Sequence, residues 1–126
     1  MVGLTGGVRS VYNAPSLGNA GVSAGVRAVV DWFGPTDFSS IPGRHDRPET
    51  PFTYVEPGRT YPAFSIANGS VDCVVPVWQS QRLASALTKV GASVTLTVLP
   101  GARHEDPAFM RTQLTPTTAF LDRVLK

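Results

Sequence analysis

Three short runs of β-branched and aromatic residues place the tightest limit on how this chain can fold. They occupy residues 26–33, 61–67 and 93–99, and each is followed by the Gly, Pro or Asn residues that favour turns. Residues 78–90 repeat apolar side chains at helical spacing, and Gly91 supplies a stop signal. Because strands that alternate with helices favour one arrangement, we expect an α/β fold: a parallel sheet with flanking helices.

The capping residues predict where the last helix begins. Thr115 resembles an N-cap residue, and Pro116 follows it at the first helical position. The apolar face of this helix would consist of Phe120, Leu121, Val124 and Leu125. Residues 38–60 contain four prolines and no periodicity, so we expect a long loop or a lid-like excursion there.

Composition limits the classes of protein to which the chain can belong. Its 126 residues suit a single domain, and 11 basic residues nearly balance 9 acidic ones. No basic stripe with interleaved aromatic residues is present, so we expect no nucleic-acid partner. The single cysteine, Cys73, excludes an internal disulfide. With neither a signal peptide nor a membrane-spanning apolar run in this sequence, we expect a cytoplasmic protein without a membrane partner.

Two polar residues follow neighbouring predicted strands. Ligands of open α/β sheets bind beyond the carboxyl ends of the strands. Asp72 follows the second run, and His104 follows the third. A carboxylate and an imidazole on adjacent loops could form a hydrogen bond, as the acid and base of a catalytic triad do. Spacing alone leaves the alternative of a turn-forming aspartate and a solvated histidine.

Three stretches together resemble the α/β-hydrolase superfamily. They are VVDWFGPTDF at residues 29–38, ANGSVDCVVPVWQS at 67–80 and VTLTVLPGARH at 94–104. The likeness is to esterases and lipases of the feruloyl and acetyl-xylan or prolyl-oligopeptidase-like branches. In that family the second stretch carries HG-x-x-D-x-x-V-P with the triad acid, and the third carries G-A-x-H with the general base. The resemblance therefore implies that Asp72 is the acid and His104 the base.

The resemblance also implies an activity and an extent of the domain. The function would be hydrolysis of a small-molecule carboxylic ester by a serine hydrolase, which needs no cofactor. The family carries its nucleophile on a G-x-S-x-G turn between a strand and a helix, ahead of all three stretches. Residues 1–126 would then form the C-terminal portion of the fold, truncated so that it lacks the N-terminal strands and this nucleophile elbow.

One literal match to G-x-S-x-G exists, with Ser23 as the possible nucleophile. A nucleophile elbow needs a strand before it and a helix after it. Here a loop-like segment precedes Ser23, and a predicted strand follows it. We therefore expect the match to be fortuitous.

Several other residues carry weaker predictions. Asn68 stands where the family usually has histidine, a structural position whose loss we expect to be tolerated. We expect Cys73 to be a small buried thiol, Asp37 to form an Asx turn, and Glu105 and Asp106 to be solvated carboxylates. The remaining candidates are Asp31 inside a strand, His45 and Asp46 without a third metal ligand, and the core or pocket-wall aromatic residues Trp32, Phe33, Trp78 and Phe109.

Two alternative functions remain open. A sheet without its N-terminal strands would expose an unpaired edge, which favours pairing with another chain. The chain could therefore be a non-catalytic fragment or a structural partner that self-associates or pairs with a missing half. The prolyl-oligopeptidase-like branch also allows a serine peptidase.

Overall fold

A single parallel sheet organises the computed structural model of the chain, which describes residues 2–7, 16, 18, 21–40 and 50–126. The sheet has three strands, namely β1 (Ala28–Trp32), β2 (Ala63–Gly69) and β3 (Val94–Leu99). Strand β2 lies in the centre and pairs in parallel with β1 on one side and β3 on the other. The α/β prediction with a parallel sheet is thereby confirmed.

Within the described ranges, three helices accompany the sheet, and two short 3-10 turns follow β1. The helices are α1 (Val2–Thr5), α2 (Val77–Lys89) and α3 (Ala108–Leu125), and the 3-10 turns span Phe38–Ser40 and Pro51–Tyr54. Helix α2 stops where the sequence indicated, because Gly91 adopts a φ of 78° that favours glycine. None of the helices in the described ranges has both the length and the apolar character needed to cross a membrane.

The two long helices cover opposite faces of the sheet. Alternate residues of a strand point to opposite faces. Phe64 and Ile66 of β2 pack with Leu83 and Leu87 of α2 on one face. Ala67 of the same strand points to the other face, where it belongs to a second cluster that includes Phe109 of α3. That second cluster consists of Ala67, Leu99, Ala102 and Phe109. The starts of helices α3 and α2 therefore lie beside the carboxyl ends of the strands.

The predicted start of the last helix was wrong. Helix α3 begins at Ala108, and Pro116 lies inside it on an exposed face. The pair Asp106–Pro107 carries the same signature of a capping residue followed by proline. The Ala108 amide donates to Asp106 Oδ1 at 2.8 Å. Pro116 removes one N–H from the helix, a loss that is tolerated because the affected turn faces solvent.

Candidate active site

Asp72 lies on the loop that leaves the carboxyl end of β2. Its Oδ1 atom accepts hydrogen bonds from the amides of Val74 and Val75, each at 2.8 Å. The carboxylate is buried, so these two donors replace the water that an exposed carboxylate would bind. The loop therefore holds the second oxygen, Oδ2, in a fixed direction.

His104 lies where that second oxygen points. Its Nδ1 atom is 2.8 Å from Asp72 Oδ2, with the histidine side chain 25% exposed and the aspartate side chain 0% exposed. A carboxylate can only accept, so Nδ1 carries the proton in this hydrogen bond. The Nε2 atom of a neutral His104 then keeps a lone pair. The structure thus brings the two predicted site residues into the geometry of an orienting acid and a general base.

Hydrogen bonds hold together the loop after β2, which carries Asp72 (the acid loop), and the loop after β3, which carries His104 (the histidine loop). The Val71 amide donates to the Ala102 carbonyl at 3.2 Å, and the Gly101 amide donates to Ser70 Oγ at 2.8 Å. A Cβ atom at Gly69 would overlap the carbonyl group of Ala102. The loops therefore approach each other closely only because residue 69 has no side chain.

Asn68, near the end of β2, links the acid loop to the strand and to helix α2. Its side chain is fully buried, and Nδ2 donates to the Val75 carbonyl at 3.3 Å and to Ser80 Oγ at 3.0 Å. These bonds join the end of β2 to the loop and to helix α2. Asn68 therefore has a structural role in this chain.

A second polar network fastens the loop after β1 to helix α2. Gln79 Oε1 accepts from the amides of Thr36 and Asp37 at 2.9 and 3.0 Å. The Asp37 carboxylate pairs with Arg82 at 2.6 Å and accepts a bond from Ser39. Asp37 thus supplies an ion pair between elements in addition to its bond with the Ser39 hydroxyl, and its Asx turn stays a prediction.

The aromatic side chains at the end of β1 form one wall of the site. Phe33 lies edge-to-face with His104 at a centroid distance of 5.0 Å and with Phe109 at 4.8 Å. Trp32 also packs against Phe109, at 6.2 Å. The core or pocket-wall prediction suits these three residues, whereas Trp78 is 40% exposed and is therefore not a core residue. No sequence signal beyond its place at the end of a predicted strand distinguished Phe33 as the neighbour of His104.

The carboxylates of Asp31 and Asp106 each accept a hydrogen bond from a backbone amide two or three residues further along the chain. Asp31 Oδ1 accepts from the Gly34 amide at 2.8 Å, and burial raises the pKa of this carboxyl to about 6. The pKa of Asp106 is lowered because its carboxylate accepts the Ala108 amide at the start of α3. Asp106 therefore supports the backbone just before α3 and is not only a solvated carboxylate. His45 and Asp46 lie outside the described residues.

The structure does not bring Ser23 to the Asp72–His104 pair. Ser23 is exposed before the amino end of β1, where its Oγ accepts the Gly25 amide at 3.1 Å. Strand β1, rather than a helix, follows it. His104 follows the carboxyl end of β3, and the strands run parallel, so the two residues lie at opposite ends of the sheet.

Cys73 is exposed, so the prediction of a buried thiol was wrong. The Asp72 carboxylate draws the amides of Val74 and Val75 inward, which leaves residue 73 on the outside of the bend. A surface cavity of about 510 Å³ opens here, lined by Val71, Cys73, Val74, Arg103 and His104. Among the described residues, no three His, Cys, Asp or Glu side chains are grouped as a metal site would require.

Comparison with protein families gives one match, over most of the chain. The sequence model of the prolyl oligopeptidase family matches residues 21–126, which include β1, both loops of the candidate site and helix α3. No curated protein sequence matches the chain.

The resemblance to three solved structures covers between 89% and 99% of this chain. A truncated form of a carbohydrate esterase from gut microbiota superposes with a TM-score of 0.77 at 28% identity, over 99% of this chain and 55% of that one. A bifunctional GH43-CE from Bacteroides eggerthii gives 0.74 at 26% identity, over 99% and 21%. Esterase 2 of Thermogutta terrifontis, phosphonylated by sarin, gives 0.71 at 21% identity, over 89% and 49%. The chain thus spans about half the length, or less, of these proteins.

Proposed function

We propose that this chain, which belongs to the prolyl oligopeptidase family, provides the acid and the base of a serine hydrolase that cleaves carboxylic esters. The observation that carries the proposal is the 2.8 Å hydrogen bond between His104 Nδ1 and Asp72 Oδ2. The family match and the esterase structures confirm the resemblance to the C-terminal half of an α/β-hydrolase. The family consists of hydrolases, whereas the roles of Asp72 and His104 and the choice of esters are our proposal.

In this mechanism His104 moves protons and Asp72 does not. His104 Nε2 takes the proton of a serine hydroxyl as the serine oxygen attacks the ester carbonyl carbon. The protonated imidazole then gives that proton to the departing alkoxide, which leaves as an alcohol. A water molecule repeats the sequence on the acyl-enzyme and releases the carboxylic acid. The buried Asp72 carboxylate stabilises the imidazolium in both steps and accepts the hydrogen bond of Nδ1.

We propose that the serine comes from a part of the domain that these 126 residues do not include. Ser23 lies at the opposite end of the sheet from His104, and it does not precede a helix. The chain also spans only 55% of the gut-microbiota carbohydrate esterase to which it is similar. A chain without the serine retains the acid and the base but lacks the group that they would activate.

An ester substrate is supported by the similar structures and by the surface beside His104. Two of the similar structures that are more than 25% identical are described as a carbohydrate esterase and a bifunctional GH43-CE. The exposed side chains of Val71 and Val74 give the cavity beside His104 an apolar wall. Such a wall suits the acyl or alcohol group of a small ester.

A chimera tests the proposal directly. The N-terminal part of the gut-microbiota carbohydrate esterase would be joined ahead of residue 1, and release of p-nitrophenol from p-nitrophenyl acetate would be measured. We expect hydrolysis that is lost in His104→Ala and retained in Ser23→Ala. A folded chimera whose activity survives His104→Ala contradicts the proposal. The 126-residue chain alone should form no adduct with a fluorophosphonate probe, and an adduct on Ser23 would also contradict it.

The family match supports a second candidate, a serine peptidase. The acid and base would serve an amide bond in the same way, with His104 protonating the amine that leaves. The same chimera separates the two reactions if it is also given a peptide p-nitroanilide with proline before the scissile bond. Cleavage of the anilide in preference to the ester would assign the peptidase function.

A third candidate is a binding role through the free side of β1. Within the described residues this strand pairs only with β2, and Val30 at its middle is 38% exposed. Unpaired strand edges favour association with another strand. Light scattering on the eluted chain would show a dimer or larger species that Val30→Lys converts to a monomer. A monomer before the substitution counts against this candidate.

A further inference from the structure

Phe33 has a backbone conformation that bulky residues rarely adopt. Its φ is 51°, in the left-handed region that favours glycine. Two hydrogen bonds impose it. The Phe33 amide donates to the Ala67 carbonyl at 2.8 Å, which extends the pairing of β1 with β2, and the Gly34 amide donates to Asp31 Oδ1 at 2.8 Å. Residue 33 is therefore held in a strained conformation at the carboxyl end of a strand.

This conformation directs the Phe33 ring into the candidate site. The ring contacts the imidazole of His104 with a centroid distance of 5.0 Å and an interplanar angle of 64°. On its other side it contacts Phe109, which is only 2% exposed, at 4.8 Å and 79°. The Phe33 ring thus fills the space between a buried core residue and the partly exposed imidazole.

The second strained residue lies beside the same histidine. Glu105, which directly follows His104, has a φ of 55°, and the Asp106 amide donates to the Arg103 carbonyl across this turn. Phe33 and Glu105 are the non-glycine residues with positive φ in the described part of the chain. Backbone strain persists where the surrounding structure enforces it, often at functional sites.

We propose that Phe33 is a positioning residue for His104, an inference that rests on the proposed role of His104 as general base. One hydrogen bond to Asp72 does not by itself hold the imidazole, because the ring can still tilt and carry Nδ1 away from Oδ2. The Phe33 ring, backed by Phe109, blocks this tilt on one side. Phe33 takes no part in proton transfer, and its effect is to hold the imidazole ring of His104 in one orientation.

Nitrogen-15 NMR of the histidine side chains tests the inference on the 126-residue chain. The chain has two histidines, so the signals of His104 are assigned by comparison with His104→Gln. Two-bond proton–nitrogen correlations report which ring nitrogen carries the proton. We expect a single tautomer with the proton on Nδ1 in the wild type. In Phe33→Ala we expect loss of that single pattern, and in Phe33→Tyr we expect its return because the ring is restored.

A matched control and separate outcomes keep the two proposals distinct. Trp32→Leu removes an aromatic ring that contacts Phe109, and it should leave the His104 signals unchanged. A wild type without the Nδ1 proton contradicts the proposed function itself. A wild type with it, together with an unchanged pattern in folded Phe33→Ala, overturns only the role of Phe33. If Phe33→Ala fails to fold, Phe33→Leu takes its place, since leucine keeps apolar volume without a ring. An unchanged His104 pattern in folded Phe33→Leu then overturns the role of Phe33.

Discussion

Gly69 lies so close to the carbonyl group of Ala102 that no side chain fits between them. This contact joins the last residue of β2 to the turn that follows β3, and the Val71 amide donates to the same carbonyl at 3.2 Å. Asp72 and His104 stand a few residues further along these two segments. The closeness of the segments is therefore a precondition for the hydrogen bond between the acid and the histidine.

Gly69→Ala should consequently separate the two loops. The added methyl group forces backbone to move, and overpacking of this kind costs about 1–3 kcal/mol. We expect urea unfolding to show a loss of stability in this range and the His104 Nδ1 proton signal to disappear. Gly21→Ala is the control, because a Cβ there meets nothing within 4 Å. Unchanged stability and an unchanged His104 signal in Gly69→Ala would show that the loops do not depend on this contact.

Asp72→Asn should reverse the tautomer of His104. The amides of Val74 and Val75 both need an acceptor, so the Asn oxygen would face them and its NH₂ group would face His104. Nδ1 must then accept, and the ring proton moves to Nε2, where no proton can be taken from a serine. In the chimera, kcat should fall by about 10⁴-fold. A fall of less than tenfold would remove Asp72 from the proposed mechanism.

The parts of this fold that follow local rules were predictable from the sequence. The three strands and helix α2 follow from runs of β-branched residues and from a helical repeat ended by Gly91. The positions of Asp72 and His104 came from the resemblance of their loops to the family. Their 2.8 Å contact depends on tertiary packing, which spacing along the chain could only suggest.

The features that the sequence did not predict correctly have physical reasons. Thr115–Pro116 and Asp106–Pro107 carry the same start signal, and the contact of Phe109 with the core cluster favours the earlier one. Cys73 is exposed because the Asp72 carboxylate draws its neighbours' amides inward. The conformation of Phe33 could not be read from the sequence, since a bulky residue normally avoids positive φ.

Gln79→Leu should destabilise the chain without touching the Asp72–His104 pair. Gln79 is 1% exposed, and its Oε1 accepts the amides of Thr36 and Asp37. Leucine leaves both buried amides without this acceptor, at a cost of about 1–3 kcal/mol each. Gln81→Leu, on the exposed side of the same helix, is the control. Equal midpoints of urea unfolding for the two variants would contradict this assignment.

Asp31 should make the stability of the chain depend on pH in a direction opposite to that of a salt-bridged aspartate. Burial raises its pKa from 3.8 to about 6 in the folded state, so between these values the folded chain binds more protons than the unfolded chain. Stability therefore falls as pH rises from about 4 to above 6. The loss is on the order of 2–3 kcal/mol, since one pKa unit corresponds to about 1.4 kcal/mol.

Asp31→Asn removes this titration while its side-chain oxygen can still accept the Gly34 amide. The variant should therefore be more stable than the wild type at pH 8 and nearly equal to it below pH 4. Urea unfolding of both chains across this range measures the difference, with Asp122→Asn on the exposed surface of α3 as the control for loss of one negative charge. If the wild type is instead the more stable chain at pH 8, the carboxylate is stabilised rather than penalised in the folded state, and burial does not dominate at this position.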